Sequence, residues 1–224
     1  MIFNFLSRKY KARPDAPDFW KAYLDSFKDS YRKNTPISEL RFVVFDTETT
    51  GLDLKKSRML SIGAVSVQGW QIALEDSLEC YIRQDYKPDG ESIEVHGILP
   101  GSQEEQLSEE EAARRFVGFC RNAILVGHHL SFDVAMANRV LQRLTGGKLL
   151  NRQLDTAVLA RRLAGAGQVY KQGTFGLDNL CQQYHIPMSD RHTSAGDAFI
   201  TAILLLKLLA RLEKRGVRTL RQLL

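Results

Sequence analysis

No apolar run in the 224 residues approaches the roughly 20 needed to cross a bilayer, so no helical membrane span is expected. Cysteine is scarce: Cys80, Cys120 and Cys181 are odd in number, far apart and outside any metal-ligand spacing. That argues against a disulfide scaffold and a thiolate zinc site, and leaves buried free thiols as the economical reading. The opening Met1-Ile2-Phe3-Asn4-Phe5-Leu6-Ser7-Arg8-Lys9 sets an apolar patch before its basic residues, the reverse of a secretory signal. A cytoplasmic location is expected. Internal repeats and low-complexity tracts are missing too. What remains is an ordinary globular composition, 44% apolar and 25% charged.

The net charge of +5 is unevenly placed. Residues 1–40 hold 8 Lys/Arg against 5 Asp/Glu and residues 204–224 hold 6 against 1, leaving 17 against 20 between them. An acidic middle with basic ends suits a nucleic-acid enzyme that collects metal and attracts phosphate. Solvated helix faces would leave the same signature at the C-terminal end.

Three segments are expected: an N-terminal basic and aromatic helical extension over 1–38, a main domain over 39–215, and a basic C-terminal tail over 216–224. In the extension a helix starts near Asp15-Ala16-Pro17-Asp18 and ends at Asn34-Thr35-Pro36. Its stripe of Phe19, Tyr23, Phe27 and Tyr31 suits packing on the chain's own core more than docking on a partner. Strands are then expected over 41–48, 59–67 and 73–82 as an antiparallel meander. Ser108 with Glu111 caps a helix, a buried strand runs over 123–128, and a second helix opens at Ser131-Phe132-Asp133. A fifth strand over 149–154, helices over 157–163 and 177–184, and a long helix over 194–214 complete a mixed sheet covered by helices, an α/β fold.

Chemistry collects in three places. Phe42-Val43-Val44-Phe45-Asp46-Thr47-Glu48 ends an apolar strand in two carboxylates spaced i, i+2, which the strand's period of two puts on one face. Crowded carboxylates at the end of a buried strand call for a cation, because an unpaired buried charge costs several kcal/mol. Turn and cap residues can look alike. Asp133 follows the second buried strand where strand gives way to helix, and alone it could be a cap. In Asp190-Arg191-His192-Thr193-Ser194-Ala195-Gly196-Asp197, the histidine falls on a loop and Asp197 in the first helical turn, with Ser194 as N-cap. A capping box would explain Asp197 as well, but the small run Ser194-Ala195-Gly196 lets this helix start approach another backbone closely.

Together the three motifs resemble the DEDDh group of 3′-to-5′ exonucleases, the DnaQ-like superfamily that includes the proofreading epsilon subunit of bacterial replicative polymerases. The likeness runs from about Arg41 to Leu209 and takes in Thr49-Thr50-Gly51-Leu52, Val95-His96-Gly97-Ile98 and Leu177-Asp178-Asn179-Leu180. It implies a ribonuclease-H-like fold with a five-stranded mixed sheet. It also implies two divalent ions, Mg²⁺ or Mn²⁺, held by Asp46, Glu48, Asp133 and Asp197, with His192 as general base. Thr49, Leu52, His96 and His129 would grip the terminal nucleotide, and Asp155 would support the site or cap its helix. The implied partner is nucleic acid with a free 3′ end, DNA first and RNA the alternative, as in ribonuclease T or oligoribonuclease. A rival reading is a docking subunit of a DNA polymerase. The family usually has Asn where this chain has His129, and Ala where it has Ser194.

Overall fold

A computed structural model describes residues 12–85, 97–98, 105–165 and 169–224. Strands β1 (Arg41–Thr49), β2 (Met59–Gln68) and β3 (Gln71–Ile82) form the expected antiparallel meander. Beyond β1 lie β5 (Ile124–Gly127) and β6 (Gln153–Asp155), both parallel to it. All five expected strands are present. A sixth, β4 (Gln106–Leu107), pairs with the free edge of β3, giving the order β4-β3-β2-β1-β5-β6. Two residues are too few to leave a periodic signal.

Side-chain alternation along β1 divides the core in two. Val43 and Phe45 join the side covered by α1 (Asp18–Asp25), α2 (Glu109–Cys120) and α3 (Ser131–Thr145). Phe42 and Val44 join the side covered by α4 (Thr156–Ala164), α5 (Leu177–Tyr184) and the long α6 (Ser194–Lys214). Where α2 begins, Ser108 accepts a hydrogen bond from Glu111 N, the cap expected there.

The aromatic stripe of the extension faces inward. Trp20, Tyr23, Leu24 and Phe27 are buried, while Phe19 and Tyr31 are only partly covered. Tyr23 stacks on Trp20 with centroids 4.8 Å apart, donates to Asn151 Oδ1 (2.5 Å) and accepts from Leu150 N (2.8 Å). The helix ends sooner than expected, at Asp25, followed by a 3₁₀ turn over Ser26–Asp29. Ser26 and Ser30 there donate to the carbonyls of Tyr23 and Phe27, side-chain bonds that tighten a helix end.

β6 begins at Gln153, later than the expected 149, because the backbone donors of Leu149 and Leu150 go to Asn138 Oδ1 and the Tyr23 hydroxyl. Residues 216–224, expected as a tail, are packed: Val217, Leu220 and Leu223 are buried, the last two on α7 (Leu220–Leu223). A bridge between Pro36 and Thr219, with Ile37 N donating to Arg218 O, ties this stretch to the end of the extension. Among the described residues no helix is long and apolar enough to cross a membrane.

Candidate active site

Three parallel strands, β1, β5 and β6, point their carboxyl ends the same way, and the acidic residues follow from that. Asp46 and Glu48 lie on the α6 side of β1, where their cross-strand partners are Gly63 and Ser61 of β2. Those partners are small for a reason. A Cβ on Gly63 would lie 2.2 Å from Ser194 C and Ala195 N, so only glycine lets α6 start here. Ser61 Oγ meets Ser194 Oγ at 2.9 Å. The first turn of α6 therefore rests on the sheet beside the acidic pair and delivers Asp197. One ligand oxygen each from Asp46, Glu48 and Asp197 can be chosen so that all lie within 4.8 Å of one another.

Asp133 reaches the same end from α3, on the other side of the sheet. Its Oδ1 accepts from Thr47 N (3.2 Å) and Thr47 Oγ1 (2.6 Å), so the residue between the two β1 carboxylates locks it in place. Asp155 both caps α4, accepting from Ala157 N (2.8 Å), and accepts from Leu130 N (2.9 Å). It is a brace between two strand ends.

The carboxylates repel one another. Burial, then the charges of Asp133, Asp197 and Glu48, raise the pKa of Asp46 well above the ordinary carboxylate value. For Glu48 burial comes first and the charges of Asp197 and Asp133 follow, pushing it to about 7. Burial likewise raises Asp133 to about 6, against the hydrogen bonds from Thr47. Asp197 is buried, and its Oδ1 has no hydrogen-bond partner among the described residues. An orphaned buried oxygen amid an oxygen-only donor set fits a hard divalent cation, to which Asp46, Glu48 and Asp197 are the nearest ligands.

The remaining expected residues are more dispersed. His192 sits on the exposed loop before α6 with a left-handed backbone (φ 65°), and its ring makes no hydrogen bond to a described residue. The N-cap of α6 is Thr193, whose hydroxyl accepts from Gly196 N, and not Ser194, which is already helical and turned toward Ser61. Thr49 is buried and donates to Gly51 O (2.8 Å), holding the turn that displays Leu52, 86% exposed. Arg139 of α3 grips that loop at the carbonyls of Leu54 and Ser57. His129 is exposed and left-handed (φ 57°), a conformation that Asn and His both tolerate better than most residues, which explains why one can stand for the other. His96 lies outside the described residues.

The motif pattern assigns Arg191 no role, yet its guanidinium donates to Asp178 Oδ1 (2.8 Å) and to Asp197 Oδ2. Its place beside the motif histidine is plain from the sequence; the direction of its side chain is not.

A family model described as Exonuclease matches residues 43–205. A DNA polymerase III PolC-type of Thermotoga maritima is 29% identical over 204 residues, which is 89% of this chain and 14% of that protein. A DNA polymerase III subunit epsilon-like protein of Rhodobacter capsulatus is 32% identical over 194 residues, 85% of this chain and 27% of that protein. The chain thus spans less than a third of the length of these relatives. Among solved structures, E. coli exonuclease I in complex with a dT13 oligonucleotide shares the fold, with a TM-score of 0.66 at 18% identity over 80% of this chain and 43% of that one.

Proposed function

The chain belongs to the exonuclease family, and from that premise we propose that it is a metal-dependent 3′-to-5′ exonuclease that removes nucleoside 5′-monophosphates from DNA. The observation that carries this reading is the meeting of Asp46, Glu48 and Asp197 oxygens within 4.8 Å, with Asp133 locked beside them through Thr47. DNA is favoured over RNA because the relatives are named for DNA polymerase III and the fold neighbour holds a dT13 oligonucleotide.

Asp46, Glu48 and Asp197 would hold one divalent ion, Mg²⁺ or Mn²⁺, and Asp46 with Asp133 a second. Two such ions, when bound, would supply activation of the attacking water and charge neutralisation at the departing 3′-oxygen. The water oxygen would bond to phosphorus as the phosphorus–O3′ bond breaks, the departing O3′ would take up a proton as the new 3′-hydroxyl of the shortened strand, and the terminal nucleotide would leave with its 5′-phosphate. His192 would take the proton of the attacking water, as an imidazole on the exposed loop directly before α6. Leu52 offers an apolar surface to the terminal base, on a loop steadied by Thr49 and Arg139. His129 and His96 would contact the same nucleotide. A polymerase would have to dock elsewhere than on the N-terminal stripe, whose main residues are buried.

The test uses 3′-tailed DNA and RNA oligonucleotides labelled at the 5′ end, with Mg²⁺, Mn²⁺ or chelator. A metal-dependent ladder shortening from the 3′ end, faster on DNA, is expected. Faster loss of RNA would move the substrate to RNA trimming, and no cleavage by folded protein with either metal would refute the activity.

A further inference from the structure

Resting on the metal-site reading above, we infer that Arg191 is a positioning residue that fixes which oxygen of Asp197 faces the metal. Its guanidinium is held from two sides: Nε donates to Asp178 Oδ1 of α5, and a terminal nitrogen donates to Asp197 Oδ2 of α6. The Arg191 side chain is 18% exposed and that of Asp197 10%, whereas Asp178 is 65% exposed and anchors the pair from the solvent side. A planar fork of donors can bind two carboxylates at once without bending, which a lysine ammonium cannot do in the same plane.

The division of labour at Asp197 follows. Oδ2 is taken by Arg191, and Oδ1 is buried with no partner among the described residues. Rotation of the carboxylate would break a charge-assisted bond, so Oδ1 stays the oxygen without a protein partner among the described residues and the one left to a cation. Arg191 also eases the mutual repulsion of Asp46 and Glu48, since its charge lowers the pKa of both. Burial opposes the Arg191 charge, but the hydrogen bonds to Asp197 and Asp178 outweigh it and raise its pKa. The opposite role, a placeholder cation that the metal must expel, would need Arg191 on the oxygen that binds metal. It sits on Oδ2, and Oδ1 is the oxygen left without a partner among the described residues.

The measurement is calorimetric titration of the full chain with Mn²⁺ alone, for the wild type, Arg191→Ala, Arg191→Lys and Asp178→Asn. Arg191→Ala is expected to weaken Mn²⁺ binding about 10- to 100-fold, the range for loss of a partner that orients a metal ligand. Arg191→Lys should recover part of that loss by keeping one contact and the charge, and Asp178→Asn should weaken binding less than Arg191→Ala. If Arg191→Ala does not fold, the other two variants decide, because one is conservative and the other alters an exposed carboxylate. Wild-type Mn²⁺ affinity in the variants would overturn the inference alone. Tighter binding would also overturn it and make Arg191 a competitor. A wild type that takes up no Mn²⁺ would overturn the metal-site reading and this inference together.

Discussion

The two faces of the sheet are built differently. On the α1–α3 face the packing is aromatic: Trp20 stacks on Tyr23, Tyr23 meets Phe27 edge-to-face, and the ring centroids of Phe45 and Phe116 lie 4.9 Å apart. On the other face α6 contributes an aliphatic stripe of Leu204, Leu205, Leu208, Leu209 and Leu212, and its first turn touches β2 at Gly63 and Ser61. Large buried rings in mutual contact make the first face a framework. The second face depends on a close backbone contact, and that contact sets Asp197 beside Asp46 and Glu48. The close approach of α6 to the sheet and the cluster of Asp46, Glu48 and Asp197 therefore share one side of β1, and Asp133 joins them from the other side through its bonds to Thr47.

This contrast can be broken from either side. Asp46→Ala should lower cleavage on the order of 10³-fold or more while the thermal transition without metal stays at or above that of the wild type, because a repelling charge is removed. Near-normal turnover of that variant would dissolve the contrast. Trp20→Ala should cost about 3–5 kcal/mol in urea unfolding, as for other buried aromatics, yet leave kcat per folded molecule unchanged. Gly63→Ala should do both: about 1–3 kcal/mol from forced displacement of α6, and activity reduced on the order of 10²-fold by the shift of Asp197. A Gly63→Ala enzyme with full activity would mean that α6 can move without carrying its carboxylate off line.

The smallest effect is in pH. Glu48 moves from the ordinary 4.5 to about 7 on folding without metal, so it is harder to ionise folded than unfolded. Stability must then fall as pH rises through that window. Melting curves in chelator from pH 5 to 8 should show a shallower decline in Glu48→Gln. Metal uptake at pH 6.5 should release protons, seen as a dependence of binding heat on the buffer used, and affinity should rise toward pH 8.

Much of this arrangement is legible in the order of residues alone. Period-two alternation puts Asp46 and Glu48 on one face, and the small residues from Ser194 to Gly196 announce a close approach, met by Gly63. What the residue pattern hides is tertiary and directional. The bond from Tyr23 to Asn151 spans 128 positions and leaves no periodic trace, so the late start of β6 is hidden with it. The cap of α6 falls to Thr193, while the hydroxyl of Ser194 is engaged by Ser61 of β2. Arg191 stands in plain view within the motif, but a guanidinium can turn to solvent as readily as to Asp197. Val217, Leu220 and Leu223 have the spacing of a buried face, masked by the basic residues between them.

The indole of Trp20 rests against Tyr23 and so close to Gly147 that a Cβ there would overlap the ring. Trp70, the other of the two tryptophans, lies in the turn between β2 and β3 and is only partly covered. The chain thus carries its own fluorescent gauge. Emission from Trp20 will redden when α1 lifts off, while Trp70 gives a steadier background, so detachment of the framework can be followed optically from the face opposite Asp46 and Glu48, with no dye near the acidic cluster.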